Sequence, residues 1–276
     1  MTYASLLVAV DDGPESDGRL ELACDLSIAF DAHLIGLCAG SVETALYDPL
    51  GGGAMLGELL TLYRDMAQAD VERARVRFLE IVKNRAVESG WRGQIGYPAA
   101  ACSQAARAAD LVILGSRNPS APSRAPDVAD VLMGCGRPVL VVPPTRLRNP
   151  VGQPALVAWN DRREARFALT SALPLLRHAS GVTLYSVSST VDAPFGTDEM
   201  ADVIQFLARH NITAEAVIAP PGEASTGRQI LDGALARNAG LIVAGGYGHP
   251  RLREWALGGV TRDLINDSPI CLCLAH

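Results

Sequence analysis

Short apolar runs alternate along this chain with longer stretches of helical periodicity. Residues 6–10 are uniformly apolar and end in Asp11, Asp12 and Gly13. Such runs suit strands buried on both faces, as in a parallel sheet. From about Glu15, Leu22, Leu26, Ala29 and Phe30 recur on one side of a predicted helix. A second strand is predicted over 32–38 and a glycine-rich loop over 41–57. The longest helix is predicted from Met55 to about Glu88, with Leu59, Tyr63, Met66, Ala74, Phe78 and Val82 on its apolar side. Its other side carries Arg73, Arg75, Arg77, Glu80 and Lys83, a solvated charged face. Then come a short third strand over 93–97, a helix over 103–109, a strand over 111–114, a short helix over 126–133 and a fifth strand over 138–142.

The periodicity breaks at residues 143–154, where four prolines fall within twelve residues. That composition predicts an interdomain linker, with domains over 1–145 and 155–276. Beyond it the pattern restarts. Leu156-Val-Ala-Trp-Asn-Asp161 repeats Leu7-Val-Ala-Val-Asp-Asp12 at an offset of 149 residues. A helix is predicted over 163–178, kinked or cut short at Pro174. A strand over 182–187, a helix over 197–210 stopped by Asn211, a strand over 214–218 and a helix over 227–237 follow. Residues 239–245 repeat 109–115 at an offset of 130, and 269–273 repeat 138–142 at 131. The shrinking offset places a longer middle in the first copy. The expected fold is α/β: two tandem Rossmann-like domains, each a five-stranded parallel sheet with helices on both faces and right-handed crossovers.

Composition narrows the functional classes. Hydrophobic residues make up 49% and charged residues 20% of the 276, enough for a substantial core. A net charge of −6 argues against a nucleic-acid surface. No apolar run of about 18 residues is present, so no membrane partner is expected. The N-terminus lacks the basic start of a signal peptide, and the expected location is cytoplasmic. The six cysteines form no Cys-x2-Cys pair, and Cys271 and Cys273 share one face of a predicted strand as buried thiols. No histidine sits at zinc-ligand spacing.

The candidate chemistry lies near the C-terminus. The predicted strand Leu241-Ile-Val-Ala244 runs into Gly245, Gly246 and Gly248, and Gly258 and Gly259 precede another helical pattern with Val260, Leu264 and Ile265. A strand, a glycine loop and a helix start form a phosphate cradle, where close backbone approach meets unpaired N–H groups. A glycine-rich turn that only packs a helix on the sheet is the other reading. The spacing Gly-x2-Gly-x9-Gly of Gly245, Gly248 and Gly258 resembles the nucleotide loop of universal stress proteins. In that family Ser or Thr follows the last glycine; here Gly259 stands there, and the nearest hydroxyl is Thr261. The two copies together resemble the tandem, two-domain members, whose fold is of the adenine nucleotide alpha hydrolase-like type.

That resemblance implies a stress-response regulatory or binding protein with an adenine-nucleotide (ATP) site in the second copy. It implies no metal other than magnesium arriving with the nucleotide. Asn160 takes the place of the family's adenine-side Asp, and Val187 that of its backbone contact to the base. Gly245, Gly248, Gly258, Gly259 and Thr261 complete the set. Trp159 faces the site or sits in the core, and Arg251 and Arg253 reach the phosphates or remain on the surface. The first copy keeps Asp11 and Gly115, but Ser116, Arg117 and Asn118 follow. Asp127, near a helix start, suits a cap and repels phosphate. That copy is therefore expected to be structural. No catalytic constellation is legible, so a binding protein is expected first, then a slow ATPase, then a scaffold or small-ligand binder without nucleotide. The copies are expected to pack as an intramolecular pseudo-dimer through their last strands, with a possible further homodimer.

Overall fold

The computed structural model describes residues 2–11, 13, 15–42, 53–116, 125–144, 149–188, 194–246 and 259–276. In the first half, β1 (Ser5–Ala9), β2 (His33–Gly40), β3 (Ser89–Ile95), β4 (Leu111–Gly115) and β5 (Val139–Val142) alternate with α1 (Glu15–Phe30), α2 (Gly53–Arg85), α3 (Pro98–Ala105) and α4 (Val128–Gly134). In the second half the strands are β6 (Ala155–Ala158), β7 (Val182–Val187), β8 (Ala214–Ala219), β9 (Leu241–Gly245) and β10 (Cys271–Ala275). The helices there are α5 (Arg163–Ser171), α6 (Leu173–Arg177), α7 (Pro194–Arg209), α8 (Thr226–Ala236) and α9 (Gly259–Asp267).

All ten strands join one sheet in the order β3-β2-β1-β4-β5-β10-β9-β6-β7-β8. Pairing is parallel within each half, as the apolar runs require. The one antiparallel pair is the seam, where Val141 faces Leu272 and Leu140 faces Cys273. The last strands thus meet as the repeat implied. The seam is also tied by side chains. Tyr3 of the first half donates its hydroxyl to the Ser171 carbonyl of the second at 2.7 Å, and Phe30 packs edge-on against His178, ring centroids 5.2 Å apart.

Each face of the sheet has its own core. One face carries Val8, Leu26, Phe78, Val157 and Leu169, with Cys271 and Cys273 among them as the two-residue period demands. The other carries Leu114, Leu132, Leu231 and Leu264. The falling offset has a physical source: α2 has 33 residues where its counterpart α7 has 16. Among the described side chains of α2, those buried are in its later part, at Ala67, Val71, Ala74, Phe78 and Val82. Met66, expected on the apolar side, is 47% exposed. The helix first meets the sheet at Ala67, whose carbonyl oxygen lies 2.6 Å from where a side chain on Gly40 would begin.

Local signals explain most boundaries. Pro174 divides the predicted 163–178 helix into α5 and α6. Asn211 takes a left-handed φ of 61° after α7 and stops it. Asp127 caps α4, accepting from the N–H groups of Ala129 and Asp130. α2 and α7 begin at Gly53 and Pro194, a few residues earlier than predicted, and two segments begin earlier still. β3 starts at Ser89, because a half-exposed edge strand shows no apolar run. α3 starts at Pro98, where the fixed φ of proline favours a first turn.

Candidate functional site

Within the second half the strand order reverses between β6 and β9, which are hydrogen-bonded neighbours. From β6 the chain turns to α5 on one face, and from β9 to α9 on the other. A crevice at the carboxyl ends of such diverging strands is the usual ligand position in open parallel sheets. Register places the sequence-predicted residues there. Ala158 is level with Ala244 and with Tyr185, so Asn160, Gly245 and Val187 lie at the same edge on three adjacent strands. Val187 is half-buried and pairs with Ala219, and Asn160 is exposed. The Asn160 side-chain oxygen accepts from the Arg162 N–H at 3.3 Å, which turns the chain into α5.

The described glycines divide by what surrounds them. A Cβ on Gly245 would lie 2.6 Å from the Glu164 carbonyl carbon and 2.7 Å from the Ala165 nitrogen. The start of α5 therefore crosses β9 so closely that only glycine fits. Gly246 similarly admits Leu132 from the first half, whose Cδ2 would lie 2.6 Å from an added Cβ. Gly259 differs: it opens α9, and among the described residues nothing lies within 4 Å of the place of its missing side chain. Its helix is held against α8 through Ser225, which donates to Asp263 at 2.7 Å. Thr261 is 5% exposed, inside the first turn of α9 rather than in that open space. Gly248, Gly258, Arg251 and Arg253 lie outside the described residues.

The charge at the start of α5 runs against the helix dipole. Arg162, Arg163 and Arg166 cluster there, where cations are disfavoured and anions welcome. Arg166 is paired with Asp161 at 2.8 Å, and Asp161 takes a left-handed φ of 49°. Arg163 is paired with Glu164 at 2.7 Å. Partial burial works to raise the Glu164 pKa. Its own backbone N–H and the Arg163 guanidinium outweigh this and hold the carboxyl below its ordinary value.

In the first half the equivalent crevice is filled. Arg19, 5% exposed, donates Nε to the Ala9 carbonyl at 2.8 Å and Nη2 to Asp11 at 2.5 Å and to Ser16 Oγ at 3.1 Å. Its other terminal nitrogen occupies the space a side chain on Gly115 would need. The counterpart of Arg19 in the second half is the buried Ala168, 149 residues on, and the place beside Gly245 is taken there by the backbone of Glu164 and Ala165. The filling arginine went unread in the sequence, although its signal was present: a cation on the stripe of Leu22 and Leu26. Among the described residues, no group of three His, Cys, Asp or Glu side chains is placed to hold a metal.

No protein-family model matches the chain, and no curated protein is similar to it in sequence. Solved structures do resemble it. A universal stress protein from Archaeoglobus fulgidus superposes with a TM-score of 0.75 at 17% identity, over 98% of this chain and 97% of that one. A protein of unknown function from Pseudomonas aeruginosa superposes with a TM-score of 0.61 at 15% identity, over 99% of this chain and 92% of that one. At such identities the likeness is one of fold, and it extends through both halves.

Proposed function

We propose that this chain is a tandem universal stress protein of the cytoplasm, with domains over 1–145 and 155–276, that binds one ATP in its second half. Its role is regulatory: occupancy of the site, rather than turnover, is what partners read. The supporting observation is the contrast between the two crevices. In the second half Asn160 lies two residues past β6, between the ends of β7 at Val187 and β9 at Gly245, and among the described residues nothing lies beside Gly259 at the start of α9. In the first half the corresponding strand ends hold the buried Arg19, bonded to Ala9 and Asp11, where the second half has Ala168.

Each residue has a role in this reading. The Asn160 amide both donates and accepts, so it meets an adenine edge that a carboxylate would meet only as acceptor. The Val187 backbone borders the base. Gly248 and Gly258, with the N–H groups at the start of α9, take the phosphates. Magnesium, if carried in with the nucleotide, neutralises phosphate charge.

Calorimetric titration with ATP tests this. The expected result is one site per chain, lost in Gly248→Val with the fold intact by circular dichroism. Two sites, or none at millimolar ATP, overturn it.

A further inference from the structure

Among the described residues, five of the ten large hydrophobic side chains that stand exposed belong to one helix, α2: Leu60, Leu62, Met66, Val76 and Leu79. Its buried side chains, from Ala67 to Val82, recur every three or four residues and face the sheet. On the opposite side Leu62, Met66, Ala69, Arg73 and Val76 follow one another in steps of four and three, and all are exposed. A row with that mean period of 3.5 is the seam one helix offers to another. Leu60 is in line with Ala67 but stands before the point where the helix reaches the sheet. The counterpart α7, at 16 residues, has no large hydrophobic exposed among its described side chains.

The row runs into a groove of about 760 Å³ between α2 and α1. Ala69, Val76 and Ile81 are its apolar lining, and Asp17 of α1, paired with Arg77, lines it from the other helix. The charges along α2 are sorted by end. Glu58, Asp65, Asp70 and Glu72 fall in its first part, with Arg64 among them. Arg73, Arg75, Arg77, Lys83 and Arg85 fall in its last part, with Glu80 among them. Asp70 and Glu72 are answered by Arg73 and Arg75, and Arg77 and Arg85 by Asp17 and Asp25 of α1. The contrast is therefore carried by Glu58 and Asp65 at one end and Lys83 at the other. The side chains of residues 43–56, which lie outside the description, include Glu43 and Asp48 and no cation, so that stretch does not offset the acidic end.

We propose that α2 is the docking surface for a second copy of this chain, the two helices packing antiparallel with their outer rows together. A parallel pair would set acidic end on acidic end and basic end on basic end. The antiparallel pair brings Glu58 and Asp65 of each copy toward Lys83 of the other. The same patch serves both copies, so the contact closes at a two-fold dimer. With the two-fold axis level with Val71, Met66 of one copy meets Val76 of the other, and the small Ala69 leaves room for the aliphatic stem of Arg73. A single helix pair lies near the low end of specific interfaces, about 1,200 Å², so association in the range of about 1–100 μM is expected.

Sedimentation velocity of the full chain over a concentration series tests this. The weight-average mass is expected to climb from that of one chain toward that of two by about 100 μM. Met66→Glu changes an exposed side chain, so the circular dichroism spectrum and urea midpoint should stay those of the parent. It should nevertheless weaken the dimer about tenfold or more, because it buries a charge in the seam. Lys83→Glu sets like charges together and should weaken it several-fold, and adding Glu58→Lys in the same chain should restore it. A chain that stays monomeric up to about 100 μM overturns the proposal and leaves the row to another occupant. So does a dimer that Met66→Glu leaves as strong as before, since its interface lies on a different surface. A double variant no stronger than Lys83→Glu alone overturns the antiparallel arrangement.

Discussion

Arg19 sits against Gly115, its guanidinium in the space that any side chain at position 115 would need. The pair explains why two copies of one fold differ in what they can hold. In the first half Asp11 anchors an internal cation beside Gly115; in the second, Asn160 and Ala168 stand in place of that pair and the α5 backbone lies beside Gly245. The duplication kept the architecture and changed the side chains around one pair of strand ends.

Replacing that side chain should destabilise the chain without creating a second site. Arg19→Met keeps volume but strands Asp11 and the Ala9 carbonyl. The expected loss is about 2–4 kcal/mol, toward the low side for a broken buried pair because Asp11 keeps some water contact. Urea unfolding measures it. ATP stoichiometry should stay unchanged, since the first half has no counterpart of Gly248. A variant as stable as the parent would mean that the pair contributes little.

The glycines at the second crevice should behave oppositely. Gly245→Ala forces a methyl into the backbone of Glu164 and Ala165, which cannot move without shifting α5, and should cost about 1–3 kcal/mol. Gly259→Ser meets nothing among the described residues and should leave stability nearly unchanged. If the phosphates lie at the start of α9, the new hydroxyl adds a hydrogen bond and tightens ATP binding several-fold. Calorimetry on the Ser variant showing equal or weaker binding removes Gly259 from the site.

The fold was largely legible because its signals are local and repeated. The match of Leu7–Asp12 with Leu156–Asp161 revealed the duplication, and Pro174 and Asn211 marked their own breaks. What stayed hidden depends on distance between elements. Nothing in residues 55–88 tells how far α2 outruns the sheet, so Met66 was placed inside. Gly245 read as a phosphate-loop residue, yet the passage of α5 over β9 already requires glycine there. Trp159 was ambiguous because one side chain can pack in the core and still leave its N–H unanswered.

The seam offers a separate test. Tyr3 reaches from the first half to the Ser171 carbonyl in the second, and its burial holds the hydroxyl pKa well above the ordinary value. Tyr3→Phe keeps the ring against Phe30 and removes only the bond, leaving a carbonyl short of a donor. The expected cost is about 1–2 kcal/mol. Denaturant unfolding followed by fluorescence and by circular dichroism should still give coincident transitions. Separate transitions would mean that this tether couples the two halves.

Alkaline pH should weaken the fold through its buried thiols. Burial pushes Cys102, Cys271 and Cys273 to about 12 and, less completely, Cys24 to about 11. In the unfolded chain these groups titrate near about 8.5. Below that pH both states hold the protons and stability is full. Above it the unfolded chain releases protons that the folded chain retains, so stability falls as pH rises toward 11–12. The limiting slope is about 1.4 kcal/mol per pH unit for each thiol, over a narrower pH window for Cys24. Urea midpoints should therefore drop steadily between pH 8 and pH 10. Cys273→Ala, at a fully buried position on β10, should shallow that slope while leaving the protein folded at pH 7. At pH 8 a thiol-reactive disulfide should find the half-buried Cys135 first and the five buried thiols only after denaturant is added. Six thiols reacting at once in the native protein, or a slope indifferent to Cys273→Ala, would show that burial of the thiolates does not govern its alkaline stability.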